Sequence, residues 1–104
     1  MAEGWVNVAR VDAVQSVRLM EVEAGGHALL LIDLDGAIHA TAAVCPHHQA
    51  WLSMGGVKGD VILCPRHNGS FHIPTGEQRG GPPCETLRVY EVRMEDGDVL
   101  VRLS

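Results

Sequence analysis

Two short cysteine–histidine motifs, separated by sixteen residues, constrain the fold of this 104-residue chain more than any other feature. The first is Cys45-Pro46-His47 and the second is Cys64-Pro65-Arg66-His67. Each motif supplies one thiolate and one imidazole, and the proline after each cysteine fixes a backbone φ angle and removes one N–H. If the four side chains share one site, the fold has to bring two stiffened loops together.

The segment 45–84, which contains both motifs, differs in composition from the rest of the chain. It holds all three cysteines, all five prolines, four of the six histidines and seven of the twelve glycines. Turn-forming residues at this density, placed between apolar segments, predict a pair of structured loops at about 45–56 and 64–84. Long loops inside a compact domain are usually functional, so we expect the functional site here.

Outside these loops the sequence predicts short β-strands. The predicted strands, which alternate in polarity or are apolar throughout, cover 5–8, 17–22, 28–34, 37–44, 61–64, 87–93 and 99–103. Hairpin turns are expected at Asp35-Gly36 and at 95–98, because glycine accepts the positive φ that such turns need. The only helical feature predicted is a turn near Asp12–Gln15. We therefore predict an all-β fold of small antiparallel sheets stacked as a sandwich, in one domain spanning residues 1–104.

Composition and charge narrow the class of protein. Eight basic and thirteen acidic residues give a formal charge of −5, which disfavours binding to nucleic acid or to anionic membranes. This charge suits a partner with a basic docking face, although it requires nothing beyond solubility. The first ten residues lack the basic start and apolar segment of a secretory signal, and three cysteines cannot form a complete set of disulfides. We therefore expect a cytoplasmic protein whose cysteines serve metal or redox chemistry.

The run Cys45–Phe71 resembles the cluster-binding region of Rieske ferredoxins, particularly the ferredoxin components of bacterial aromatic-ring dioxygenases. Leu52-Ser53, Gly59-Asp60 and Thr75-Gly76 fall where this family commonly has the same residues, and Gly80–Cys84 resembles its closing proline turn. The resemblance covers most of the chain from about residue 29 onward. It implies the Rieske iron–sulfur fold, with the two cluster-binding loops at one tip.

The resemblance also implies one [2Fe–2S] cluster per chain, bound by Cys45, His47, Cys64 and His67. In a Rieske centre two cysteines hold one iron and two histidines hold the other. We expect both imidazoles to lie at the tip of the domain, where they would shorten the electron path into a docked partner. The main alternative is a structural zinc site, because zinc takes the same ligand types, although zinc motifs usually begin with a pair of cysteines.

Positions beside the motifs imply a low reduction potential. High-potential members of the family have a disulfide between the two loops and hydroxyl groups that donate hydrogen bonds to sulfur. The corresponding positions here, which provide neither, are Ala50, Arg66, Gly69 and Phe71. Such hydrogen bonds stabilise the electron-rich reduced state, so without them we expect a potential near the low end of the Rieske range, about −150 mV. Ser70 is one residue out of register with the family's serine.

The resemblance implies a one-electron carrier that is not itself an enzyme. Such ferredoxins receive electrons from an NAD(P)H-dependent flavoprotein reductase and pass them to a terminal oxygenase; we expect both contacts to be transient and the carrier to be monomeric. The sequence has no recognisable nucleotide-binding glycine motif. Two alternatives stay open: the small subunit of a nitrite-reductase-like enzyme, many of which lack the cluster ligands, and a zinc-binding interaction module.

Several residues near the motifs have no clear role in the sequence. Cys84 lies outside both motifs and is predicted to be a buried, inert thiol. His48 and Arg66 are as compatible with solvated side chains as with contacts at a partner surface, and the cation of Arg66 would also favour the reduced cluster. Trp51 is as compatible with core packing as with a cover over the cluster or a docking face. The histidines predicted to be structural or surface residues are His27, His39 and His72.

Overall fold

The computed structural model describes residues 4–45, 51–65, 69–81 and 86–103, and in these residues the chain is mostly β. The strands are β1 Trp5–Arg10, β2 Leu19–Ala24, β3 His27–Leu34, β4 Ala37–Ala42, β5 Gly56–Lys58, β6 Val61–Leu63, β7 Ser70–His72, β8 Gln78–Gly80, β9 Val89–Tyr90, β10 Val92–Glu95 and β11 Asp98–Arg102. An α-helix, α1, covers Val11–Val17, and a 3-10 helix covers Leu52–Met54. Neither helix in this described part of the chain is long and apolar enough to cross a membrane.

The strands form three antiparallel sheets, so the predicted fold class is confirmed. The terminal sheet has the strand order β1-β11-β10, the central sheet β2-β3-β4-β9, and the distal sheet β5-β6-β7-β8. The predicted hairpin turns are present between β3 and β4 and between β10 and β11. Asp35 and Asp96 have φ angles of 51° and 52°, and the glycine after each also has a positive φ. Two successive positive φ angles are what a tight hairpin with the strands' right-handed twist requires.

The central sheet is buried on both faces, and β3 shows why the sequence from 28 to 34 is apolar almost without interruption. Leu29 and Leu31 point into a core shared with the terminal sheet and α1. Leu30 and Ile32 point into a second core, shared with the distal sheet. Successive side chains of a strand point to opposite faces, so a strand covered on both sides needs apolar residues at consecutive positions.

The molecule therefore has two cores. The terminal core consists of Val14, Ala24, Leu29, Leu31, Ile38, Ala40, Val99 and Val101. The distal core consists of Leu30, Ile32, Ala43, Cys45, Leu52, Ile62, Cys64, Phe71, Ile73 and Leu87. Both cysteines of the two sequence motifs belong to the distal core, so these cysteines and the terminal core lie on opposite sides of the central sheet.

The predicted strand 17–22 was wrong at its start. Val17 is the last residue of α1, and β2 begins only at Leu19. Arg18, between them, has a φ of 69° and donates its N–H to the Val14 carbonyl at 2.8 Å. The seven-residue helix is too short to show a clear helical period in the sequence, and it is stabilised by packing, because Val14 is fully buried while Val17 is 55% exposed.

The predicted strand 87–93 was wrong in being continuous. Its first part, β9, pairs with β4 in the central sheet, whereas β10 pairs with β11 in the terminal sheet. Glu91 separates the two strands. An alternating pattern indicates which face each residue occupies but not which strand it pairs with, so the change of sheet was not visible in the sequence.

Replacing Leu31 with alanine tests whether its side chain belongs to the terminal core. We expect Leu31→Ala to lower the free energy of unfolding by about 2–5 kcal/mol, because it removes a fully buried side chain and leaves a cavity. The control Met94→Ala changes a side chain that is 46% exposed and should cost less than about 0.5 kcal/mol. Chemical denaturation followed by circular dichroism measures both, and equal losses would contradict the assignment of Leu31 to this core.

Candidate metal centre

The first motif lies in a loop whose two ends are held together by backbone hydrogen bonds. Val44 and Trp51 form an isolated antiparallel bridge. Next to it, the Leu52 N–H donates to the Ala43 carbonyl at 2.9 Å. Cys45 is therefore the first residue of a loop, 45–50, that leaves and rejoins the scaffold at adjacent points.

The second motif lies in the connection between β6 and β7, which is closed in a similar way. Leu63 pairs with Ser70 at the base of this loop. The Cys64 N–H donates to the Gly69 carbonyl at 2.8 Å. Each cysteine thus stands at the entry of a loop with a closed base, directly after backbone that is held by the neighbouring strands.

Gly55 brings the two loops against each other. A Cβ on Gly55 would lie 1.8 Å from the Leu63 carbonyl oxygen, so only glycine lets the chain after the first loop pack on the strand that leads to Cys64. At Gly56, the next residue, a Cβ would have nothing within 4 Å. The two glycines are adjacent and identical in the sequence, which gives no sign of which one makes the close contact.

Both cysteines are buried, with relative exposures of 0% for Cys45 and 2% for Cys64. Leu52, Ile62 and Phe71, which belong to the same core, are fully buried as well. Thiolates in such apolar surroundings are costly unless a metal ion compensates their charge. Two buried cysteines at the entries of two adjoining loops therefore fit a metal-bound group that needs thiolate ligands.

The other two predicted ligands, His47 and His67, lie in segments 46–50 and 66–68, outside the described residues. Further residues discussed from the sequence that also lie outside them are Ala50, His48, Arg66 and Cys84. Within the described ranges, no group of three Cys, His, Asp or Glu side chains could hold a metal ion. The set of four ligands therefore stays a prediction, of which the structure describes the two cysteines.

Gly69 and Phe71, where the sequence lacks a hydroxyl that could donate to sulfur, are both described. They lie at the end of the second loop and in the strand that follows it. Phe71 is fully buried in the distal core, and Gly69 accepts the hydrogen bond that closes the loop. The Ser70 hydroxyl oxygen is 3.0 Å from the point where a Cβ on Gly80 would stand, so it faces the neighbouring strand β8. Because successive residues of a strand alternate between faces, Ser70 does not share the face of Phe71 that contacts the core.

Trp51 is half-exposed, so core packing, one of the roles considered for it, is wrong. Its backbone closes the first loop while its side chain contacts solvent. The sequence could not decide between a buried and an exposed position for Trp51, because tryptophan is common in cores and in interfaces alike.

The histidines predicted to be structural or surface residues lie in strands: His72 ends β7 of the distal sheet, and His27 and His39 belong to the central sheet. The ring nitrogens of His72 lie 2.9 Å from Asp60 Oδ2 and 2.8 Å from Thr75 Oγ1, which ties two turns of the distal sheet together. The pKa of His39 is lowered, first because its ring is partly buried and second because His72 is near. His27 is exposed at the start of β3.

Comparison with known proteins identifies the class that this fold and this pair of loops define. The family model described as "Rieske [2Fe-2S] domain" matches residues 4–91. The chain belongs to the Rieske [2Fe–2S] domain family, which implies a [2Fe–2S] cluster. It is 39% identical over 101 residues to the biphenyl dioxygenase ferredoxin subunit of Pseudomonas sp. (strain KKS102), and the match covers 96% of this chain and 93% of that protein.

Solved structures confirm the Rieske ferredoxin fold. The ferredoxin of Sphingomonas yanoikuyae B1 matches with a TM-score of 0.87 and 31% identity, over 95% of this chain and 98% of that one. A chain from the complex of reduced oxygenase and oxidized ferredoxin in carbazole 1,9a-dioxygenase matches with a TM-score of 0.87 and 32% identity, over 97% and 94%. The resemblance inferred from the motifs is thereby confirmed at the level of the family.

Adjacent glycines allow a matched test of the contact between the loops. We expect Gly55→Ala to destabilise the protein by about 1–3 kcal/mol and to lower its iron content, because the added Cβ overlaps the Leu63 carbonyl. Gly56→Ala should leave both unchanged, since its Cβ meets open space. Thermal unfolding and iron analysis of the two purified variants measure this, and equal behaviour would contradict the close approach at Gly55.

Proposed function

We propose that the chain is a one-electron carrier of an aromatic-ring dioxygenase system, which passes electrons from an NAD(P)H-dependent flavoprotein reductase to a terminal oxygenase. The observation that carries the proposal is the pair of buried cysteines, Cys45 and Cys64, at the entries of two adjoining loops in a Rieske domain. The chain is an electron-transfer component and not the catalyst, as its relatives are ferredoxin subunits and components. Transient contact with both partners, a monomeric state and a cytoplasmic location belong to the same proposal.

We assign the ligands of one [2Fe–2S] cluster per chain to Cys45, His47, Cys64 and His67. When bound, such a cluster accepts and releases one electron. The two cysteines supply thiolates from within the distal core, and each loop adds its imidazole two or three residues further along the chain. Closed loop bases support this assignment, because ligands held by a rigid scaffold keep their geometry when the charge of the site changes.

The surroundings of the cysteines favour a low reduction potential. A Rieske site with two ferric ions, two sulfides and two thiolates is neutral, so reduction adds one negative charge to an apolar core in a protein of formal charge −5. Neither Gly69 nor Phe71 offers a hydroxyl that would stabilise that charge. We therefore propose a potential of about −150 mV, which suits acceptance of electrons from a flavin and delivery to an oxygenase.

Reconstitution with a terminal oxygenase tests the proposed function. The purified wild-type protein should contain two irons and two acid-labile sulfides per chain, and after reduction it should support product formation by the oxygenase. Cys64→Ala should lose the cluster and the activity together, whereas the control Cys84→Ala, outside both motifs, should keep both.

Two results would overturn this proposal. One is a colourless protein with a single tightly bound zinc, which would favour the interaction module. The other is a coloured, reducible protein that transfers electrons to none of the dioxygenase oxygenases offered.

Adding a hydroxyl at Phe71 tests the origin of the low potential. We expect Phe71→Tyr to raise the reduction potential by about 20–65 mV, because a hydrogen bond to ligand sulfur contributes about 0.5–1.5 kcal/mol and a one-electron couple converts about 1.4 kcal/mol into 59 mV. Phe71→Leu, which adds no donor, should show no such rise. Protein-film voltammetry measures both variants, and equal shifts would contradict the role of the missing hydroxyl.

A further inference from the structure

Three large apolar side chains that neither core uses are exposed beside the two cysteine loops. Trp51, Met54 and Leu63 have relative exposures of 49%, 75% and 39%. In the described part of the chain, the other exposed large hydrophobic residues are Val17 and Met94, in α1 and in the terminal sheet. We call Trp51, Met54 and Leu63 the apolar patch.

The apolar patch is one continuous surface, because Met54 lines two adjoining grooves. The first groove has a volume of about 440 Å³ and lies between Trp51, Met54 and the strand β2. The second has a volume of about 490 Å³ and lies between Met54, Leu63 and Cys64. The patch thus extends from the end of the first loop to one of the two buried cysteines at the entry of the second.

The groove beside Trp51 has an acidic edge. Glu21 and Glu23 line it from β2, which is the edge strand of the central sheet. Among the described residues, neither carboxylate forms an ion pair with a cationic side chain, although four arginine–carboxylate ion pairs occur elsewhere in those ranges. Exposed apolar patches rimmed by polar residues mark interaction sites, and tryptophan and methionine are enriched at protein–protein interfaces.

We propose that the apolar patch, together with Glu21 and Glu23, is the surface on which a terminal oxygenase docks. The complementary surface would have an apolar centre flanked by lysine or arginine side chains, because opposite charges steer encounter and set orientation. This inference rests on the proposed function and adds to it the docking residues and the chemistry of the partner.

Three considerations favour the oxygenase as the occupant of this surface. A matching solved chain comes from a complex of oxygenase and ferredoxin, so a protein of this fold does bind such a partner. A second copy of this chain is disfavoured, because each copy carries a formal charge of −5 and contributes an acidic edge of its own. A partner seated on the patch would also lie against Cys64, which keeps the path for the electron short.

Steady-state kinetics with one defined oxygenase test whether the oxygenase docks on the apolar patch. The probe is the terminal oxygenase of the biphenyl dioxygenase system, supplied with biphenyl and with reduced carrier. We expect Met54→Glu and Trp51→Ala each to raise the KM for the carrier about tenfold or more, since interface residues of this kind often dominate binding. Met94→Glu makes the same change on the terminal sheet, on the far side of the molecule, and should leave KM within about twofold.

The acidic edge has its own matched pair of variants. The double variant Glu21→Lys with Glu23→Lys should raise the KM and reverse its salt dependence, because screening would now weaken a repulsion. Glu95→Lys, on the terminal sheet, should keep the wild-type salt dependence. Iron, sulfide and reduction potential of every variant are measured first, so that loss of the cluster is separated from loss of docking.

The possible results distinguish a failure of the docking proposal from a failure of the proposed function. If the wild-type protein supports product formation by none of the dioxygenase oxygenases offered, both are rejected. If it does support product formation, and Met54→Glu behaves like Met94→Glu, only the surface is rejected. If the patch variants raise the KM for the carrier only in its reduction by the flavoprotein reductase, the patch is assigned to that partner instead. A wild-type dimer in sedimentation that Met54→Glu dissociates would assign it to a second copy, and either result overturns the proposal.

Discussion

The burial of β3 on both faces is the constraint on which the rest of the structure depends. Leu29 and Leu31 pack in the terminal core, while Leu30 and Ile32 pack in the distal core that contains both cysteines. A strand held from two sides is rigid, and the loops start from neighbouring elements packed against it. The geometry of the candidate metal centre is therefore set by a strand that belongs to neither loop.

Each cysteine loop is closed by its own backbone hydrogen bonds, and Gly55 then couples the two loops through its contact with Leu63. This arrangement gives the thiolates an apolar and rigid environment, which favours a low potential and a small change of structure on electron transfer. Apolar side chains are found at the surface beside the distal core as well as inside it. Those at the surface include Leu63 and Met54, so the surface beside the site is suited to a partner that must come close.

The parts of the fold that the sequence predicted correctly depend on neighbouring residues along the chain. The Asp35-Gly36 turn follows from the φ angles that its residues accept, and β3 follows from an unbroken apolar run. The helix α1 was predicted only as a turn near Asp12–Gln15, because Val14 stabilises it through contacts with other elements. The division of 87–93 was missed because pairing partners lie far away in the chain.

The sequence by itself determined which residue types are candidate ligands, their grouping into two motifs and the absence of hydroxyl groups at Gly69 and Phe71, because residue identity and spacing carry that chemistry directly. Only the tertiary structure decided that both cysteines share one core, that Gly55 and not Gly56 makes the close contact, and that Trp51 is exposed. Those properties depend on which surfaces meet when distant segments pack, and no local pattern of residues encodes that meeting.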